Sequence, residues 1–74
     1  MERQYVRSSN LNSVRYEEET SVLEIVFNSG AVYQYTGVPP YHFIGLMNAA
    51  SKGRYFDRFI RKMGYRYQQV GGMG

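Results

Sequence analysis

"VLEIVFNSGAVYQYT", residues 22–36, reads as two strands around one turn, and the pairing across that turn decides the fold. VLEIVF (22–27) is rich in β-branched and aromatic residues, the types that pack well on a pleated surface. Leu23, Ile25 and Phe27 point to one face, and Val22, Glu24 and Val26 to the other. The alternation resumes in AVYQYT (31–36). A three-residue loop, Asn28-Ser29-Gly30, puts Gly30 at the left-handed position of a type I turn followed by a bulge, where glycine is favoured. Phe27 then faces Ala31, Ile25 faces Tyr33, and Leu23 faces Tyr35. A two-residue loop shifts the pairing by one and sends both tyrosines to the opposite face. The three-residue loop gathers the large apolar groups on one side, so Tyr33 and Tyr35 are expected to face the core. If helices cover that face, the pair serves packing and not base stacking.

Upstream, SVRYEE (13–18) reads as a further strand, with Val14 and Tyr16 on one face and Arg15 on the other, closed by the polar turn EETS. Downstream, GVPP (37–40) ends the sheet, and Pro40 suits the first turn of a helix. Phe43, Leu46, Met47 and Ala50 follow at the i, i+3, i+4, i+7 spacing of one buried helical face. Gly45 within it marks a close backbone approach. SKGRYFDRFIRKMG (51–64) reads as a second helix, with Ser51 as N-cap, Phe56, Phe59, Ile60 and Met63 on the packed face, and Gly64 as the stop. YRYQQV (65–70) is read as a short extended segment against the sheet or a helix. The expected fold is α+β: a three-stranded antiparallel meander followed by two helices on one face, in the order β-β-β-α-α. One domain spans 1–70, and 71–74 (GGMG) forms a flexible glycine-rich tail.

With 74 residues, the chain has room for one thin core. Hydrophobic residues at 43% and charged residues at 20% describe a globular chain and not a disordered one. No cysteine is present, so neither a disulfide nor a thiolate metal site contributes. No apolar run approaches the ~20 residues of a membrane span, and MERQYVRSSN has no signal-type apolar stretch. A soluble, cytoplasmic protein is expected. The formal net charge is +3, but its distribution is uneven. Residues 52–66 hold Lys52, Arg54, Arg58, Arg61, Lys62 and Arg66 against Asp57 alone. On the second helix, Arg54, Arg58, Arg61 and Lys62 fall at i, i+4, i+7, i+8, on one face away from the aromatic side. Such a face contacts phosphates or is merely solvated.

The segments SSNLNSVRYE, LEIVFNSG, VYQYTGVP, LMNAASKGRYFDRFIR and YRY resemble the KTSC domain, over roughly residues 7–69. That family is named for a domain at the C-terminus of some lysyl-tRNA synthetases, and it also occurs as small free-standing bacterial or phage proteins. Its central Tyr-x-Tyr is matched by Tyr33-Gln34-Tyr35. The junction Ser51-Lys52-Gly53 and the pair Tyr55-Phe56 match as well. Asp57 stands where the family often has Asn, Arg66 where it has Pro, and His42-Phe43 where Val-Tyr is more usual. The synthetase association implies a role with RNA.

No Ser-His-Asp set, phosphate-binding glycine loop or cysteine nucleophile can be assembled, and His42 lacks partners at metal-ligand spacing. His42 is read as a solvent-side helix residue, Glu17–Glu19 as a solvated hairpin end, and Ser8, Ser9 and Asn10 as organisers of a turn. The expectation is therefore a non-catalytic module with no cofactor, no metal, no small-molecule substrate and no membrane partner. Its partner is RNA, a tRNA or a single strand. Arg54, Arg58, Arg61, Lys62 and Arg66 contact phosphates with Lys52 at the edge, and Tyr65 and Tyr67 supply stacking. Tyr33, Tyr35, Ser51, Gly53, Tyr55 and Phe56 are read as structural. The rival is a protein-interaction or oligomerisation module docking through Val22, Val26 and Val32 on the other sheet face.

Overall fold

The computed structural model describes residues 3–72. The chain runs β1 (Gln4–Tyr5), β2 (Leu11–Glu17), β3 (Val22–Phe27), β4 (Val32–Thr36), α1 (Pro40–Asn48), α2 (Lys52–Phe59), a single 3-10 turn (Arg61–Met63) and β5 (Arg66–Gly71). All five strands pair antiparallel in chain order. The α+β class and the meander are as expected, but the sheet has five strands and not three. The two additional strands are the two edges. β1 is only two residues long, too short to carry a period. β5 exposes five of its six residues, so it has no apolar face to reveal it. Pairing with β4 alone makes it a strand. It runs to Gly71, the first residue of the expected tail, while Met73 and Gly74 lie outside the described residues.

The central hairpin has the expected register. Leu23 faces Tyr35, and Ile25 faces Tyr33. The Phe27 N–H donates to the Ala31 carbonyl at 2.9 Å, and the Gly30 N–H donates to the Phe27 carbonyl at 2.9 Å. Gly30 sits at φ +96°, a conformation that a side chain resists. β2 joins with one bulge between Leu11 and Ser13. The bulge lets Leu11, Val14 and Tyr16 all reach the core face despite their uneven spacing.

The core lies between that face and the helices. Val14, Leu23, Ile25, Val38, Leu46 and Ile60 are fully buried. α1 starts at Pro40 and lays Leu46, Phe43 and Met47 on the sheet, with the Phe43 ring stacked on Tyr16 at 5.6 Å. Ala50 falls beyond the helix and is exposed. Tyr55 of α2 lies directly over Gly45, where any side chain would collide with its hydroxyl, which accounts for the glycine. α2 ends sooner than the periodicity implied. Ile60 leaves helical geometry at φ −123°, ψ −62°, so that it can fill the core. Phe59 and Met63, expected to be packed, are 39% and 63% exposed as a result.

The connection from sheet to helices is held by a buried hydrogen bond. The Tyr16 hydroxyl donates to the Val38 carbonyl at 2.6 Å, and the Val38 N–H donates to the Ser21 carbonyl at 3.0 Å. Tyr16→Phe removes the donor and leaves a buried carbonyl unpaired, a loss of about 1–3 kcal/mol. Urea unfolding followed by circular dichroism should show a lower midpoint with an unchanged slope.

Candidate nucleic-acid interface

Residues from four parts of the chain meet at one end of the molecule around an open cleft of about 1040 Å³. That volume lies at the upper end of the range typical of ligand sites, roughly 300–1,000 Å³. Its floor is aromatic. Tyr35 is 3% exposed and meets Phe56 edge-on at 5.3 Å, and Phe27 meets Tyr33 edge-on at 5.7 Å. Tyr67 pairs with Tyr35 across the β4–β5 ladder, and its ring lies 5.4 Å from Tyr35 and 5.8 Å from Tyr33. Tyr67 itself is 63% exposed. The helices therefore cover only part of the core face. α2 closes over Tyr35, whereas Tyr33 is half-buried and opens onto the cleft. Both tyrosines pack against the core as expected, and Tyr33 also borders the cleft.

One wall is polar. The Ser8 hydroxyl accepts from the N–H groups of Asn10 and Leu11, each at 3.2 Å, so this segment organises a turn as expected. The Asn28 amide donates to the Ser8 carbonyl at 3.0 Å, which ties that turn to the central hairpin. The turn comes into contact range of α2 at Gly53. A Cβ there would lie 3.4 Å from the Asn10 amide nitrogen. The opposite wall is charged, with Arg54, Asp57 and Arg61 lining the cleft. The Ser51 hydroxyl caps α2 by accepting from the Arg54 N–H at 3.4 Å, as its position implied.

The six basic residues read from the sequence do not form one surface. Arg54, Arg58, Arg61 and Lys62 stand exposed along α2 and the turn that follows it. Because α2 stops at Phe59, the last two reach this side through the 3-10 turn and not through helical spacing. Asp57 partly neutralises them: Arg61 Nε donates to it at 2.6 Å and Lys62 Nζ at 3.1 Å. These two bonds, that to Lys62 first, hold the Asp57 carboxyl below its ordinary pKa. The Arg58 guanidinium lies 5.6 Å from the Phe59 ring centre. Lys52 instead donates to the Ala49 carbonyl at 3.0 Å and lines a separate groove with Tyr5 and Phe43. Arg66 pairs with Thr36, on the side of the sheet away from the helices. Neither belongs with the cluster on α2.

Tyr65 and Tyr67 also part company. Tyr67 reaches the cleft, whereas Tyr65 is half-buried beside His42, with ring centres 6.2 Å apart. Burial raises the Tyr65 hydroxyl pKa, with Tyr41 and Tyr55 adding to the effect. Burial also raises that of Tyr35. The valine face is broken up. Glu24 lies between Val22 and Val26 along β3, and it is held by Arg3 and by the Gln34 amide at 3.0 Å. All three valines are half-buried.

Sequence reading missed the cleft's polar wall, Ser9, Asn10, Asn28 and Ser29. Each belongs to a segment that reads as a turn, and nothing local says that the turns converge. The available signal was the tyrosine alternation in YRY. Continued as a strand beside β4, it puts Tyr67 next to Tyr35 and extends the aromatic row.

His42 is not the solvent-side residue expected. It is half-buried, shares a 3.0 Å hydrogen bond with the Tyr55 hydroxyl, and packs against Tyr41, Phe59 and Tyr65. Among the described residues, no group of three metal-ligating side chains occurs, and no helix is long and apolar enough to cross a membrane.

The KTSC domain family model matches residues 7–67, and the chain belongs to that family. A crystal structure of a KTSC domain protein from Yersinia pestis superposes with a TM-score of 0.88 at 40% identity, covering 95% of this chain and 97% of that one. An uncharacterised protein of Stutzerimonas stutzeri is 40% identical over 70 residues, 95% of this chain and 99% of its own length. A lysine–tRNA ligase of Nostoc punctiforme is 42% identical over 62 residues, 84% of this chain but only 11% of the ligase. The segments that carry the family resemblance include those that line the cleft.

Burial lowers the His42 pKa from its ordinary 6.5. The unfolded chain thus takes up the proton before the folded one. Stability from a neutral His42 is complete above about pH 6.5 and is lost as pH falls through the depressed folded value. The thermal midpoint should drop between pH 7.5 and pH 5.5, and it should drop less in His42→Gln.

Proposed function

We propose that this protein is a non-catalytic RNA-binding module of the cytoplasm that holds the phosphate backbone with the cations of α2 and the turn after it. The observation that carries this reading is the cleft, where Arg54 and Arg61 stand beside an accessible aromatic floor. Arginine suits phosphate because its planar fork donates two parallel hydrogen bonds. Asp57 orients Arg61 and limits the net charge of the wall. The likeness to a short part of a lysine–tRNA ligase supports an RNA-related role. Few phosphates fit against one short helix, so affinity at physiological salt is expected on the order of 10⁻⁴–10⁻⁶ M.

Fluorescence anisotropy of labelled tRNA and of a single-stranded RNA, measured across a salt series, tests this reading. Binding should weaken as salt rises. The Arg54→Ala, Arg61→Ala double variant should lower the log–log salt slope by about 1.4, or ~0.7 for each single-strand phosphate that is no longer neutralised. Arg15→Ala, which removes one positive charge from the far sheet face, should leave the slope unchanged. Absence of binding at low salt overturns the proposal.

Asp57→Asn supplies an independent check. It removes the negative charge between Arg61 and Lys62. RNA affinity should rise on the order of fivefold at low salt, with the gain shrinking at high salt, since a unit charge at ~4 Å is worth about 1 kcal/mol in water.

The second reading, a protein-interaction module, rests on β5, a six-residue edge strand with an exposed outer side. Such an edge offers backbone groups to an incoming strand. Docking there would be insensitive to salt and to the arginine variants.

A further inference from the structure

The cleft has features that a surface meant only for phosphates does not need. Its floor is built from Tyr33 and Tyr67 over a buried Tyr35, and its polar wall is built from Asn10, Asn28 and Ser29. Backbone contact calls for cations and neutral donors, and it has no use for an accessible ring face. Two accessible rings beside those cations give a base face something to lie on, and stacking on a tyrosine is available to any base. Asn10 and Asn28 line the same cleft as these cations and rings. A base in a duplex is already stacked on its neighbours and offers no free face. We infer that the cleft seats an unpaired nucleotide of single-stranded RNA, with the base against Tyr33 and Tyr67 and the flanking phosphates toward Arg54 and Arg61.

This inference rests on the RNA-binding reading above and narrows its substrate to an unpaired segment. The geometry of the floor supports it. Tyr67 stands on the edge strand β5 and is 63% exposed, so its ring is reachable from solvent. It is nonetheless held in place by Tyr33 and Tyr35, with ring planes inclined by 34° and 30°. A ring fixed in this way loses little freedom when a base lies on it. Arg61, paired with Asp57, lines the cleft. The exposed Arg54 side chain also lines the cleft. The cleft, about 1040 Å³ and open to solvent, suits a strand that passes through and not a small molecule that is enclosed.

The chain contains eight tyrosines and no tryptophan, so tyrosine emission is not masked by tryptophan, and the Tyr67 variants separate the cleft's share of it from that of the other tyrosines. The full chain is titrated with a single-stranded RNA hexamer and with a blunt RNA duplex of the same length, following both emission and anisotropy. The single strand should quench emission and bind at least about tenfold tighter than the duplex. Tyr67→Ala should weaken single-strand binding by roughly 5- to 150-fold, the range for loss of one stacked base, and leave duplex binding unchanged. Tyr67→Phe, which keeps the ring, should stay within about twofold of the parent. If Tyr67→Ala unfolds the edge strand, Tyr67→Leu keeps the apolar bulk without the aromatic face, and its loss of quenching supports the seat equally. Salt-sensitive binding of single strand and duplex alike, with Tyr67→Ala and Tyr67→Leu equal to the parent, overturns the nucleotide seat while leaving the phosphate-binding reading in place. No salt-sensitive binding of either RNA overturns both.

Discussion

The structure depends on the turn at Asn28-Ser29-Gly30. Gly30, at φ +96°, closes a three-residue loop, and this sets Leu23 opposite Tyr35 and Ile25 opposite Tyr33. Because side chains alternate with a period of two, a slip of one residue would send both tyrosines to the far face. The core would then lose Tyr35, and β5 would have no ring to match with Tyr67. The helices settle on the face that this register makes apolar. The cleft exists because the register leaves Tyr33 at the end of the sheet that α2 does not cover.

A small domain has too little interior to hide all of its aromatic groups, and this chain uses the surplus along a gradient. Phe56 and Tyr35 are buried, Tyr33 is half-buried, and Tyr67 is exposed, and these rings adjoin one another. Core packing and surface function thus share one row of rings. A second aromatic group gathers around His42, where Tyr55 lies over Gly45 and joins α1 to α2. That group holds the helical layer together, and it sits apart from the residues that line the cleft.

Much of the fold was legible because its signals are local. The alternation in residues 22–36, Pro40 at the start of α1, Ser51 as the cap of α2 and Gly64 as a stop each act within a few residues. The two edge strands have weaker signals: residues 65–70 read only as an extended segment against the sheet or a helix, and residues 4–5 do not read as a strand at all. RYQQVG in β5 is a strand because β4 offers an edge, and Gln4–Tyr5 is too short to show a period. The end of α2 was also hidden. Phe59 and Met63 keep helical spacing in the sequence, but burying Ile60 fully requires the backbone to leave the helix there. The charged cluster was half legible for the same reason. Helical periodicity gathers Arg54 and Arg58, whereas Arg61 and Lys62 reach the same side only through the turn and their shared partner Asp57. Lys52 and Arg66 were grouped with them by proximity in the chain. Their directions were set elsewhere, by the Ala49 carbonyl and by the pleat of β5.

The sequence by itself determined the register of the central hairpin, the face that is buried, the helix starts and the presence of a basic C-terminal quarter. Each of these follows from residue type and spacing, which act over one turn or one strand pair. Only the tertiary structure decided that Ser9, Asn10, Asn28, Gly53, Arg61 and Tyr67 border a single cleft. These residues come from separate segments, and their meeting depends on how closely α2 approaches the hairpin and on which edge β5 joins. Both are settled by the packing of Ile60, Phe56 and Tyr35 in the core, a constraint that no local stretch of the chain carries.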